Sequence, residues 1–129
     1  MSFSWEDFKT LAEELCIKSD EASQRTAISR FYYASFGYSR QHLTEFLDKD
    51  DFNKDNEIHK RVHEYFLNEH RMEEHSHIAS NLKRLRANRN KSDYRLNFPN
   101  IKSYIEKSKK NSDNIFKDVN KLKKMNIKF

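Results

Sequence analysis

A single glycine, Gly37, and a single proline, Pro99, occur in the whole chain of 129 residues. Tight turns and strand connections rely on these two residue types, so the sequence argues against a fold of many strands and hairpins. The chain is long enough to bury a core without disulfides or metal ions. We therefore predict an all-α fold, a compact antiparallel bundle of four to five helices that forms one domain over residues 1–129.

Apolar residues recur with a helical period in five segments of the chain. Gly37 lies inside the second of them, where glycine costs roughly 1 kcal/mol relative to alanine, so we expect another helix to cross close by. The first predicted helix runs from Ser4 to about Lys18, and the second runs from a cap at Asp20 to about Leu47. The third helix follows a cap at Asp55 or Asn56 and ends before a break over residues 69–74. The fourth helix runs from Ser76 to about Tyr94, and the fifth begins at Pro99.

The N-terminal residues and the lone cysteine indicate the compartment. Cys16 has no partner for an internal disulfide, no segment approaches the apolar length of a membrane span, and the first 18 residues are acidic where a secretory signal would be basic. We expect a cytoplasmic protein without a membrane partner or a cofactor. His59 and His63 share a helix face, but no thiolate pair accompanies them, so no metal site is predicted.

The net charge of +5 is unevenly distributed along the chain. Residues 101–129 hold nine lysines against Glu106, Asp113 and Asp118, and a second basic cluster lies on the fourth helix. This asymmetry is typical of a phosphate-binding surface, although lysine-rich helix faces also occur where they only face solvent. The candidate RNA-binding residues of the fourth helix are Lys83, Arg86, Lys91 and Arg95.

Arg89 lies on the otherwise apolar stripe of the fourth helix. The stripe consists of residues spaced by four, three and four positions: Ile78, Leu82, Leu85 and Arg89. Asp93, four residues further on, continues it. A guanidinium that faces a core or an interface is costly unless a carboxylate, a phosphate or a partner chain meets it. Three interpretations stay open: a structural pair with Asp93, a catalytic site, or a site for binding alone.

Arg30 interrupts the most apolar turn of the second helix. An unpaired buried cation costs several kcal/mol, so we expect Arg30 to form a structural ion pair, with Asp93 or Glu14 as the acidic partner. The aromatic residues between positions 31 and 38 recur at helical spacing, and we expect them to pack in the core rather than to stack on bases.

Two short phrases resemble the HEPN family of small helical proteins. They are ISRFYYASF at residues 28–36 and RNKSDY at residues 89–94, and His59 lies between them at the head of the third helix. The resemblance implies a helical bundle that dimerises and places the fourth helices of two chains across a shared groove. Many HEPN proteins are metal-independent ribonucleases whose motif is an arginine, four to six further residues, and a histidine.

The resemblance carries over to individual residues with one departure. Arg89 would hold a phosphate, Asn90 would orient it, and Asp93, Tyr94 or His59 would move protons. The histidine of the family motif is absent, because residues 94, 95 and 96 are Tyr, Arg and Leu. The usual HEPN acid or base is therefore missing.

The leading hypothesis is a HEPN-like protein that acts on or near RNA, as a metal-independent ribonuclease toxin or effector of a bacterial toxin–antitoxin or phage-defence module. It would be a homodimer, with an antitoxin partner such as a small nucleotidyltransferase. The alternative is a non-catalytic HEPN-like adaptor or neutralising partner in which Arg89 and Asp93 only stabilise the structure. A third hypothesis is a generic nucleic-acid binder that uses the basic last helix.

Overall fold

The computed structural model describes residues 3–47, 57–69 and 72–125, and every regular element within these ranges is helical. Within the described residues five helices pack together in one bundle, which confirms the predicted all-α class and agrees with the predicted four to five helices. Within the described ranges, no helix combines the length and the apolar character needed to cross a membrane. The helices are α1 (Trp5–Cys16), α2 (Glu21–Leu47), α3 (Ile58–Asn68), α4 (Glu73–Tyr94) and α5 (Ile101–Lys124).

Helix α2 lies at the centre of the bundle and contacts each of the other four helices. Phe31, Tyr32 and Leu43 are at most 2% exposed, as expected for a helix that is apolar on nearly all sides. A Cβ atom built on Gly37 would lie 2.2 Å from Cδ2 of Trp5 in α1. The close crossing predicted from this glycine is therefore confirmed, and α1 is the helix that makes it.

Buried hydroxyl groups join α5 to both of its main neighbours. Ser35 Oγ in α2 donates to Ser112 Oγ at 2.8 Å, and Asn88 Nδ2 in α4 donates to Ser108 Oγ at 3.2 Å. All four residues are buried, where an unpaired polar group would cost free energy. These bonds favour one axial position of α5 against α2 and α4.

Two predicted helix caps are present in the structure. Ser4 accepts a hydrogen bond from the backbone N–H of Glu6 at 3.2 Å, and Asp20 accepts one from that of Ser23 at 2.9 Å. The caps predicted for α3, Asp55 and Asn56, lie outside the described residues.

Three predicted helix ends need correction. Helix α1 ends at Cys16 rather than near Lys18, and α4 begins at Glu73 rather than at Ser76. Helix α5 begins at Ile101, so Pro99 precedes the helix instead of lying in its first turn. The added first turn of α4 contains Glu74, which is 4% exposed and lies 3.0 Å from the ammonium of Lys121 in α5. Burial against α5 holds this turn in the helix, and the sequence pattern, which was polar there, gave no sign of it.

Candidate functional site

The candidate site lies where α4 faces α2 and α3. Arg89 of α4 is oriented toward the aromatic rings of α2, and its guanidinium carbon lies 5.5 Å from the ring centres of both Tyr32 and Tyr33. Its side chain is only 12% exposed. The aromatic faces replace part of the hydration that the buried cation loses.

The sequence prediction that Arg89 and Asp93 share one stripe is confirmed by a contact between them. Asp93 Oδ2 lies 3.6 Å from Arg89 Nη1, and the Asp93 side chain is 32% exposed. A partly hydrated i,i+4 pair at this distance contributes little to stability. The buried Nε of Arg89 has no hydrogen-bond partner among the described residues. Asp93 therefore satisfies only part of the bonding capacity of Arg89.

His59 in α3 reaches the same place. The Tyr32 hydroxyl lies 2.5 Å from His59 Nδ1, and the His59 ring stacks on Phe36 with centres 4.0 Å apart. Burial, together with the nearby charges of Arg86 and Arg89, lowers the pKa of His59 to about 4. Burial also raises the pKa of the Tyr32 phenol well above its usual range.

These pKa shifts fix the charge states at neutral pH: the Tyr32 phenol stays protonated and the imidazole of His59 stays neutral. In the tautomer that carries its proton on Nε2, the phenol donates the hydrogen bond to His59 Nδ1. His59 then offers a hydrogen-bond donor at Nε2 and no free lone pair for accepting a proton. Its chemistry is that of a neutral donor, which differs from the base that the missing motif histidine would supply.

A groove of about 410 Å³ adjoins this cluster between α2, α3 and α4. Among the described residues, the cations that line it are Lys60, Lys83 and Arg86, and no described carboxylate lines it. Its remaining lining residues are aromatic, aliphatic or neutral polar: Tyr32, Phe36, His63, Leu82, Ala87 and Asn90. A concave surface with cations and no acid favours binding of an anionic, partly apolar ligand.

The structure separates the predicted RNA-binding residues into two places. Lys83 and Arg86 line the groove, together with Asn90 from the predicted catalytic set. Lys91 instead turns toward α5, where its ammonium donates to the Tyr104 hydroxyl at 3.1 Å. Arg95 is the exposed residue that follows α4, and its positive charge helps to lower the pKa of Tyr104.

Tyr94 does not join the cluster around Arg89. Five residues along a helix correspond to about 140° of rotation from Arg89, and the Tyr94 side chain is 74% exposed. Among the described residues it forms no hydrogen bond or ring contact. It is thus available at the surface but is not placed beside His59.

The ion pair expected for Arg30 is not present in the described chain. Its guanidinium carbon lies 5.4 Å from the ring centre of Phe8 and 5.1 Å from that of Tyr33. Its buried Nε has no hydrogen-bond partner among the described residues. Aromatic faces rather than Asp93 or Glu14 surround this cation, which corrects the prediction.

Two contributors to the site were missed in the sequence. Lys60 lines the groove because it lies one helical turn from His63 on α3, a spacing that is visible in the sequence. Arg25 in α2 shapes the end of α4: its Nη1 donates to the carbonyls of Ser92 at 2.9 Å and Arg95 at 2.6 Å. Nothing in the sequence pairs positions so far apart.

No group of three or more histidine, cysteine, aspartate or glutamate side chains that could hold a metal ion is found within the described ranges. No family model matches the sequence, and no curated protein or solved structure is significantly similar to it.

Proposed function

We propose that this chain acts on RNA, with a single strand lying in the groove between α2, α3 and α4 and one phosphate beside Arg89. The observation that carries the proposal is the groove itself, whose described lining holds Lys60, Lys83 and Arg86 and no carboxylate. Of these three cations, only Lys60 has a carboxylate near it within the described ranges, the exposed Glu64 at 3.9 Å. Neutralised phosphates supply much of the affinity of nucleic-acid binding. Arg89 does not line the groove itself, but its guanidinium lies over the ring of Tyr32, which does, and a guanidinium is suited to hold an anionic oxygen.

Salt-dependent binding of single-stranded RNA tests this proposal. The paired variant Lys83→Gln, Arg86→Gln removes two groove cations, and the matched control Lys110→Gln, Lys124→Gln removes two exposed cations of α5. We expect the groove variant to bind more weakly and to reduce the slope of log K against log salt by about 0.7 for each lost phosphate contact. Equal behaviour of the two variants would exclude the groove as the RNA site.

The same site supports metal-independent cleavage as the reaction. The ribose 2'-oxygen attacks the adjacent phosphorus, the bond to the 5'-oxygen breaks, and a 2',3'-cyclic phosphate and a 5'-hydroxyl are formed. In the proposed step the Asp93 carboxylate takes the 2'-hydroxyl proton and water returns one to the leaving oxygen. Arg89 and the Nε2–H of His59 stabilise the charge on the phosphorane oxygens.

Cleavage is tested on single-stranded RNA in the presence of a metal chelator. Arg89→Met keeps an apolar stem against Tyr32 and Tyr33 and removes the charge. We expect this variant to remain folded and to lose at least a hundredfold in cleavage rate, since one transition-state donor contributes about 10²–10³. An Arg89→Met protein that cleaves like the parent would overturn the catalytic role.

A non-catalytic adaptor is the second candidate, and a specific observation favours it. With a pKa of about 4, His59 is neutral at physiological pH, and its Nδ1 is occupied by Tyr32. No histidine follows Arg89 at the spacing of the HEPN motif. RNA binding without cleavage, together with expression that does not arrest bacterial growth, would favour this candidate.

The resemblance to HEPN proteins also motivates two proposals about partners. The active form is a homodimer in which two grooves face each other, and light scattering at micromolar concentration tests this dimer.

A small nucleotidyltransferase is the proposed antitoxin, and the exposed Tyr94 is its target. Mass spectrometry of the co-expressed pair would show a nucleotide adduct, which Tyr94→Phe should abolish.

A further inference from the structure

A second cationic cluster lies where the end of α4 meets the start of α5. It consists of Lys91, Tyr104 and Lys107, and we call it the α5 cluster. The ammonium of Lys91 donates to the Tyr104 hydroxyl at 3.1 Å and lies 4.6 Å from the centre of its ring. The ammonium of Lys107 lies 5.2 Å from the same ring centre. One tyrosine therefore positions two cations.

Lys91 of α4 and Lys107 of α5 differ from two other lysines of α5 in their lack of an acidic partner among the described residues. Lys109 pairs with Asp113 at 3.1 Å, and Lys121 pairs with the buried Glu74 at 3.0 Å. Neither Lys91 nor Lys107 forms an ion pair with any residue in the described ranges. The two lysines of the cluster are thus not held by a carboxylate of the described chain.

Further cations surround the cluster. Lys102 and Lys107 line a cavity of about 540 Å³ beside Tyr104, and the part of its lining that the structure describes includes no carboxylate. The hydrogen bond from Lys91 and the charges of Lys91, Lys107 and Arg95 lower the pKa of Tyr104. Because Lys91 donates to this hydroxyl, the hydroxyl proton stays available for a ligand oxygen. The cluster can present two ammonium groups and one hydroxyl donor to a single anion.

We infer that the α5 cluster is a second phosphate-binding site, which holds the same RNA strand after it leaves the groove. This inference rests on the proposed function. Asn90 lines the groove and Lys91 is the next residue of α4, so the two surfaces meet along one helix. Eight residues separate Lys83 from Lys91, about 12 Å along the axis of α4. A strand of several nucleotides contacts both surfaces, whereas a very short one is held by the groove alone.

RNA length provides the test. Oligouridylates of about 4 and about 16 nucleotides, the range of site sizes of single-strand binding modules, are titrated at several salt concentrations. The cluster variant is Lys91→Gln, Lys107→Gln, and the matched control is Lys110→Gln, Lys124→Gln. We expect the cluster variant to weaken binding of the long strand at least tenfold and to reduce its salt slope by about 0.7 per lysine, with little effect on the short strand.

Three other outcomes separate the inference from the proposed function. If the cluster variant binds the long strand as the control does while the groove variant does not, the inference is wrong and the proposed function stands. If the cluster variant weakens both strands equally, the cluster is not a continuation of the groove and the inference is also wrong. If neither strand binds the parent protein, the proposed function fails and the inference fails with it. Tyr104→Phe adds an independent check, because loss of the hydroxyl should weaken the long strand alone.

Discussion

The Tyr32 hydroxyl lies 2.5 Å from Nδ1 of His59, which joins the central helix to α3 through two neutral side chains. When the phenol is the donor of this bond, His59 carries its proton on Nε2. The stacking of His59 on Phe36 removes the ring from water and favours the same neutral state. The charge state of His59 is therefore set by burial and by the nearby charges of Arg86 and Arg89.

The first prediction concerns the pH dependence of this pair. His59 should titrate with a midpoint near 4, observable by NMR of its ring protons. Tyr32→Phe removes the donor that stabilises the neutral imidazole, so the His59 pKa should rise in that variant. An unchanged midpoint in Tyr32→Phe would show that the hydrogen bond does not hold the tautomer.

Stability should follow the same titration. Burial lowers the pKa of His59, and likewise that of His42, to about 4 in the folded state, below the usual value of 6.5. The unfolded chain therefore binds more protons between these values, so the free energy of unfolding is highest above pH 6.5 and falls as pH drops toward 4. Urea unfolding at pH 7.5 and pH 4.5 measures the difference, and His59→Gln should reduce it.

The second prediction separates the structural role of Arg89 from that of Asp93. Asp93→Asn should change the free energy of unfolding by less than about 0.5 kcal/mol, because the pair is partly exposed. Arg89→Ala should cost about 1–2 kcal/mol through lost packing on Tyr32 and Tyr33. Chemical denaturation gives both values. A loss of 3–5 kcal/mol in Arg89→Ala would instead indicate an ion pair that the fold requires.

The third prediction concerns the crossing of α1 and α2. A Cβ atom at position 37 meets the indole of Trp5, so Gly37→Ala should destabilise the protein by about 1–3 kcal/mol despite the higher helix propensity of alanine. Trp5 is the only tryptophan, and its fluorescence reports the shift directly. Combining Gly37→Ala with Trp5→Leu should recover part of the stability, and a stabilised single variant would contradict the close crossing.

The fourth prediction concerns Arg25, which ties α2 to the segment after α4. Its guanidinium donates to the carbonyls of Ser92, Arg95 and Leu96 and lies 5.5 Å from the ring centre of Phe98. Arg25→Gln should lower stability by about 2 kcal/mol, since bonds to a charged donor are worth roughly 1.5–3 kcal/mol.

Hydrogen exchange locates the effect of Arg25→Gln. Amide protons of residues 94–98 should exchange faster in this variant, while those in the middle of α2 should not change. Thr26→Ala is a suitable control on the next, exposed residue of the same helix. Uniform acceleration across the chain would show a global loss of stability rather than a local release.

The sequence alone determined the helical class, most helix boundaries and the close approach at Gly37. These properties depend on local spacing: one glycine and one proline leave few turns, and apolar residues recur with a helical period. The same logic placed Arg89 and Asp93 on one stripe, because residues four apart share a helix face. The contact between them in the structure follows from that spacing.

Only the tertiary structure decided which charges have partners. Arg30 lies between the rings of Phe8 and Tyr33 rather than beside an acid, and Lys91 turns away from the groove to Tyr104. Each outcome depends on how neighbouring helices rotate and slide, which residue spacing along one helix does not specify. Burial of His59 likewise depends on the packing of α3 against α2, and that packing changes its pKa and its chemistry.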